Sequence, residues 1–307
     1  DMTGKRVLIL GTGGTSRTAH AVAQSMGAAE IRHVSRSGRD GALTYEEAAA
    51  RHGDAQVIIN TTPCGMFPAV EDCPVALADY PMLEGAADAI YNPLRSNLIL
   101  QARQRGIPAE GGLYMLAAQA AYASALFRGC EAAPQEIDTA FQTVRRQMEN
   151  IVLIGMPSCG KTTVGQRLAA LTGKRFSDSD ELVIQKIGMP IGDYFAACGE
   201  AAFRDREQEA VAELAAVGGQ VIATGGGAIL RQENLTALRR NGILVFLDRS
   251  PEKLLATADR PLSADREALR RRYEERYARY CAAADLHIDG DGSVEETARL
   301  IEKEWMQ

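Results

Sequence analysis

Gly155-Met-Pro-Ser-Cys-Gly-Lys-Thr-Thr163, or GMPSCGKTT, lies in the middle of a 307-residue chain and decides how the second half folds. Gly155, Gly160, Lys161 and Thr162 fill the fixed places of G-x-x-x-x-G-K-[ST]. The apolar run Ile151-Val-Leu-Ile154 precedes the motif, and Val164 to Leu171 follows with helical spacing. Strand, glycine-rich loop and helix form the context in which such a motif cradles phosphate. Glycines let the backbone close around an anion. Loop N–H groups and the helix N-terminus supply positive potential. The ATP-binding candidates are therefore Gly155, Ser158, Cys159, Gly160, Lys161, Thr162 and Thr163, with Lys161 reaching the β- and γ-phosphates and the Thr162 hydroxyl holding Mg²⁺. Cys159 is either a small loop filler or a thiol activated by the neighbouring positive charge.

Outward from the loop, apolar runs of strand length alternate with helical patterns along the whole chain, the signature of α/β domains with parallel sheets. In the first half, strands are expected at Arg6–Leu10, Ile31–Ser35, Val57–Asn60, Ala87–Ile90 and near Pro108. In the second half they are expected at Ile151–Ile154, Arg175–Phe176, Val221–Ala223, Ile243–Leu247 and Leu286–Ile288, with the longest helices at Glu200–Val217 and Ala264–Ala284. A new sheet starts straight after a long polar helix, which puts a domain boundary at Glu149/Asn150 and gives domains 1–149 and 150–307.

Composition narrows the function class. Apolar residues make up 46% and charged residues 24%, ordinary for a globular protein with enough material for two cores. There is no run of 18 apolar residues and no signal peptide at the start. The net charge of −6 argues against a nucleic-acid binder. The six cysteines show no metal spacing and read as reduced thiols, so a cytoplasmic location without membrane or nucleic-acid partners is expected. The basic stretch from Arg266 to Arg279, interleaved with Glu and Tyr, reads mostly as a solvated helix face.

Four stretches bear on what receives the phosphate. Phe176-Ser-Asp178-Ser-Asp180 puts two carboxylates at a strand terminus, able to divide Mg²⁺ and acceptor duties or merely to cap the next helix. Arg204 and Glu207 stand three apart on a helix, as a held guanidinium or a surface ion pair. Gly225-Gly226-Gly227 follows a strand, as a close approach to ligand or a plain turn. Asp259-Arg260-Pro261-Leu262 lies between a short and a long helix, where an arginine could close over transferring phosphate. Together, behind the phosphate loop and in this order, they resemble shikimate kinase, a P-loop NTPase-type (nucleoside monophosphate kinase-like) fold, over essentially all of 150–307. The resemblance implies that Asp180 is the base near the acceptor hydroxyl and that Asp178 acts in the Mg²⁺ shell with Thr162. It implies that Arg204 and Arg276 clamp the shikimate carboxylate, that Gly225, Gly226 and Gly227 contact the ring hydroxyls, and that Arg260 is a lid arginine catalytic beside Lys161. The lid stretch Pro251 to Arg260 departs from the family by being short, with Ala256 and Thr257 where an arginine usually meets adenine and Lys253 nearby.

In the first half, Val7 to Leu10 runs into Gly11-Thr-Gly13-Gly14-Thr15-Ser16 and then a helix: G-x-G-x-x-[small], with Ser16 where Gly or Ala is usual. The second strand ends in Ser35-Arg36-Ser37, not in Asp or Glu, which suits a ribose 2′-phosphate and favours NADP over NAD. With Ile59-Asn60-Thr-Thr-Pro63-Cys-Gly65-Met66, Asp88-Ala-Ile-Tyr91-Asn92-Pro93 and Gly112-Leu-Tyr-Met115 to Gln119, residues 2 to 150 resemble the NADP-binding, Rossmann-type doubly wound domain of shikimate dehydrogenase. That implies NADP(H) contacts from Gly11, Gly13, Gly14, Thr15, Ser35, Arg36, Ser37, Asn60, Gly112 and Met115, with Tyr91 and Gln119 on the substrate side.

The two resemblances together imply part of a dehydrogenase–kinase fusion whose kinase half is intact. The family's catalytic Lys–Asp pair belongs to an N-terminal substrate domain expected upstream, because Lys5, the lysine of residues 1–149, starts the first strand at the wrong end of the sheet. NADP binding without turnover of 3-dehydroshikimate is accordingly expected. The alternative is a P-loop kinase for another small hydroxy acid, with the first half as a non-catalytic NADP-binding or docking module.

Overall fold

A computed structural model of the protein describes residues 1–254 and 266–306, which divide into two compact units, Asp1–Arg145 and Arg146–Gln307. In the first, β1 (Arg6–Leu10), α1 (Gly14–Ser25), β2 (Glu30–Val34), α2 (Tyr45–Arg51), β3 (Val57–Asn60), β4 (Gly85–Asp88), α3 (Asn97–Gln104), β5 (Ala109–Glu110), α4 (Leu113–Arg128) and α5 (Pro134–Met148) follow one another. The strands pair in parallel in the order β2-β1-β3-β4-β5. The order reverses between β1 and β3, and ligands of doubly wound sheets bind at the carboxyl ends of the strands beside such a reversal. Val7 to Leu10 are all buried, as expected of a parallel strand covered on both faces. The α2 start carries a full capping box: Thr44 Oγ1 accepts from Glu47 N at 3.1 Å and Glu47 Oε2 accepts from Thr44 N at 2.9 Å.

The second unit contains β6 (Asn150–Ile154), α6 (Lys161–Thr172), β7 (Arg175–Asp178), α7 (Ser179–Ile187), α8 (Ile191–Ala216), β8 (Gln220–Ala223), α9 (Gln232–Asn241), β9 (Gly242–Asp248), α10 (Arg266–Ala283), β10 (Leu286–Asp289) and α11 (Val294–Met306). Its parallel sheet is ordered β10-β9-β6-β8-β7. The strand before the phosphate loop is thus central, flanked by β8 and β9, and Ile151 to Ile154 are each 0% exposed. Expected strand positions hold to within two residues. The longest helix differs: α8 begins at Ile191, not Glu200, and Gly199 (φ 81°, ψ 172°) breaks it into two segments. The glycine was legible as a break, but the residues before it are helical as well.

Candidate active site

The phosphate loop starts where β6 stops. Gly155 has φ 147°, and a Cβ there would lie 2.7 Å from Leu247 O, so only glycine fits. Gly160, at φ 97°, is the N-cap of α6, and Ser158 holds a positive φ of 65° between them. Lys161, the first residue of α6, is buried, and its Nζ donates to Gly155 O at 2.9 Å and Met156 O at 2.7 Å. Thr163 follows in the same first turn. Cys159 is 1% exposed and packed into the core under the loop, as a filler would be, and Lys161 Nζ lies 3.6 Å from its Sγ, the neighbouring positive charge of the other reading.

Beside the loop, Thr162 Oγ1 donates to Asp178 Oδ2 at 2.9 Å. Asp178 closes β7 and also caps α7, its Oδ1 accepting from Asp180 N at 2.9 Å. The capping reading holds for Asp178, while its other oxygen faces the loop threonine. Asp180 lies in the first turn of α7, aimed at the glycine turn, since a Cβ on Gly225 would stand 2.6 Å from Asp180 Oδ1 and 2.9 Å from Glu207 Oε1.

That turn is tied down from several sides. Thr224 N and Oγ1 donate to Leu153 O at 3.1 and 3.0 Å, and Gly225 N donates to Ser179 Oγ at 2.9 Å. Tyr280 Oη and Arg276 Nη1 both donate to Gly226 O, at 2.6 and 3.1 Å. A Cβ on Gly226 would meet Pro157 Cδ at 2.7 Å, and one on Gly227 would run into the Arg204 guanidinium. Plain turns do not require three glycines for close approach, and here each one faces a candidate site residue or the loop itself.

Arg204 is 8% exposed, with Nη1 donating to Glu207 Oε2 at 2.7 Å and Nη2 to Glu200 Oε1 at 3.2 Å. The surface ion-pair reading fails on this burial. Burial raises the Glu207 carboxyl above its ordinary value, against the opposing pull of the Arg204 charge, and the nearby Asp180 raises it further. The structure thus brings Asp180, Arg204, Gly225, Gly226, Gly227 and Arg276 together beside the phosphate loop. Tyr280 has no assigned role in the sequence reading and stands one residue past the basic stretch read as solvated; the i, i+4 spacing from Arg276 is its signal. Arg260, with Ala256 and Thr257, lies outside the described residues.

In the first unit a cavity of about 1050 Å³ opens at the carboxyl ends of β1, β2 and β3. Gly11, Gly13, Ser35, Arg36 and Ser37 line it, joined by Thr12, Tyr45, Thr61, Thr62 and Cys64. Gly11 has φ 113°, and a Cβ there would sit 2.6 Å from Thr61 Oγ1. Gly14 and Thr15 open α1 at the cavity edge, where Ser16 is accommodated by donating its hydroxyl to Gly13 O at 2.6 Å. Asn60 is a correction: its side chain is fully buried behind the wall, donating to Asp88 Oδ1 at 3.0 Å and accepting from Thr62 N and Oγ1 at 3.0 and 2.7 Å. It positions Thr62, and the threonines beside it form the lining. Gly112 and Met115 do not line the cavity. Gly112 packs its bare Cα against Ala89 O and donates its N–H to Ile90 O at 2.8 Å, beside exposed Tyr91; Met115 and Gln119 are exposed on α4. Lys5 pairs with Glu84 at 2.8 Å, at the amino ends of β1 and β4, away from the cavity.

Among the described residues no helix is long and apolar enough to cross a membrane, and no His/Cys/Asp/Glu group has the makings of a transition-metal site. The family model for shikimate kinase matches residues 157–305. Shikimate kinase from Symbiobacterium thermophilum is 44% identical over 165 residues, covering 50% of this chain and 95% of that protein. The enzyme from Moorella thermoacetica is 43% identical over 171 residues, covering 52% and 96%. Among solved structures, shikimate kinase from Acinetobacter baumannii in complex with shikimate is 34% identical, covers 54% of this chain and 97% of that one, and has a TM-score of 0.51. A chorismate mutase/shikimate 5-dehydrogenase fusion protein from Clostridium acetobutylicum is 28% identical and covers 47% of this chain and 55% of that one, at a TM-score of 0.44. Identity of 44% and 43% over nearly the whole length of these kinases makes this chain a member of the shikimate kinase family, an ATP- and Mg²⁺-dependent phosphotransferase of the shikimate pathway.

Proposed function

We propose that residues 150–307 phosphorylate the 3-hydroxyl of shikimate at the site described above, and that residues 1–149 bind NADP(H). The convergence of Asp180, Arg204, Arg276 and the three glycines beside the loop carries the kinase reading. Arg204 is held by Glu207 and Glu200 in a fixed plane, which suits two-pronged recognition of a ring carboxylate. Gly225 to Gly227 let the ring hydroxyls approach backbone. Asp180 accepts the acceptor hydroxyl's hydrogen bond, orients its oxygen in line with the γ-phosphorus and takes its proton as the new P–O bond forms. Lys161 leaves its carbonyl partners for the β- and γ-phosphate oxygens and stabilises charge that moves toward the leaving group. Thr162 and Asp178 offer one hydroxyl and one carboxylate, the hard oxygen donors that suit Mg²⁺ when phosphate and water complete its shell. Mg²⁺ held there would neutralise charge on the β- and γ-phosphate oxygens.

For residues 1–149, the support is the cavity with Gly11 and Gly13 at the α1 N-terminus and Ser35-Arg36-Ser37 at the end of β2. Arg36 would face the 2′-phosphate. Gly14 and Thr15 belong to the same loop, and Gly112, Met115, Tyr91 and Gln119 remain candidates for the nicotinamide and substrate side. The six free thiols agree with work in the reducing cytoplasm.

ADP release from this chain with Mg-ATP, with and without shikimate, beside Asp180→Asn, tests the kinase assignment. Shikimate-dependent turnover reduced about 10²–10⁴-fold in the variant is expected. Turnover without dependence on shikimate, or an Asn variant as fast as the parent, would sink it.

A further inference from the structure

Arg249 belongs to neither set of residues read from the sequence. It follows β9 directly, and β9 lies beside β6, so its backbone stands at the same carboxyl edge of the sheet as the phosphate loop. Its Nη1 comes to 3.5 Å from the point where a Cβ would stand on Gly160, the N-cap of α6. Its Nε is buried and has no hydrogen-bond partner among the described residues. Asp248, next to it in sequence, and Asp291, which binds Ser250, have other partners. Asp248 accepts from Tyr273 Oη and pairs with His287 Nε2, both at 2.9 Å. Asp291 accepts from Ser250 N and Oγ at 3.0 and 3.1 Å and pairs with Lys253 at 3.4 Å. A guanidinium is thus held against the loop's last glycine with no acid paired to it among the described residues.

We propose that Arg249 is a further nucleotide-binding residue of the kinase, donating to the polyphosphate chain held by the loop. Phosphate oxygens are the anion this cation lacks, and the guanidinium fork matches them. An apolar or neutral residue in its place would leave the loop with its N–H dipoles and the Lys161 charge. The inference rests on the loop being the ATP site.

The test compares Arg249→Gln, Arg249→Lys and, as a control, Lys161→Met. KM for ATP, KM for shikimate and kcat are measured, together with equilibrium binding of ATP, ADP and adenosine. Arg249→Gln is expected to raise KM for ATP and weaken ATP and ADP binding by about tenfold or more. KM for shikimate, adenosine binding and the thermal midpoint should stay unchanged, and Arg249→Lys should recover part of the loss. If Arg249→Gln binds ATP as the parent does while Lys161→Met does not, the assignment of Arg249 is wrong. If both bind ATP normally, the loop reading falls with it. Equal loss of ATP and adenosine binding would also overturn a phosphate contact.

Discussion

The two glycine-rich loops, Gly11 to Gly14 and Gly155 to Gly160, each leave a parallel strand whose apolar residues are buried and enter a helix, yet their surroundings differ. Around the first, glycine, hydroxyl and backbone groups line a cavity of about 1050 Å³, and the cation at its rim, Arg36, is exposed. Around the second, Lys161, Arg204 and Glu207 are all buried and hydrogen-bonded. A loop that only holds a dinucleotide needs backbone N–H groups and a helix N-terminus. A loop that serves phosphoryl transfer needs charges fixed in advance, because positioning and charge neutralisation are nearly the whole of that catalysis. Buried charge is costly to leave unpaired, so the kinase site carries its own counterions in Glu207 and Glu200, whereas the dinucleotide site leaves its cation in water.

The strongest way to break this contrast is Glu207→Ala. It strands Arg204 at 8% exposure with the exposed Glu200 as its remaining ion-pair partner among the described residues. Removing one member of such a buried pair should cost about 3–5 kcal/mol of stability, read by denaturant titration, and should raise KM for shikimate. A variant as stable as its parent would mean that Arg204 is not held by charge pairing.

The first unit has one buried charge of its own, and it lies behind the cavity. Burial raises Asp88 to about 6, against the pull of hydrogen bonds from Ser96, Ile90 N and Asn60. A carboxyl whose folded pKa lies above its unfolded value favours the fold most below about pH 4, and this contribution is lost as pH rises through about 6. Two units of difference correspond to about 3 kcal/mol. Asp88→Asn should therefore gain on the parent by up to that amount between pH 4 and pH 7.5. Parallel stability profiles for the two would show that the three donors keep Asp88 ionised throughout. The smallest effect is expected at the solvent-facing cation: Arg36→Ala should weaken NADP binding by about tenfold, on the order of 1–2 kcal/mol, and leave NAD binding alone. Equal loss for both dinucleotides would take Arg36 away from the 2′-phosphate.

Much of this was legible in the chain. Ile151 to Ile154 and Val7 to Leu10 read as buried strands because parallel strands between helices must be apolar on both faces. Gly155 and Gly11 were legible because their φ values and close contacts admit no Cβ, and Gly160 because its φ of 97° favours glycine. Side-chain partnership was less so. Asn60 stood out as a polar residue at a strand end, but its direction, into Asp88 rather than the cavity, depends on β4 lying beside β3. The alternation of hydrophobic runs, the spacing of the loop motif and the order of the acceptor residues, all local in sequence, determined the two α/β units and the kinase family. The spacing of Arg204 and Glu207 offered their pairing, but the tertiary structure alone decided that they are buried against Gly227, that Tyr280 bonds Gly226, and that Arg249 stands against Gly160 with no carboxylate paired to it among the described residues. Burial is set by residues tens of positions apart meeting at the edge of a sheet, and no local pattern encodes that distance.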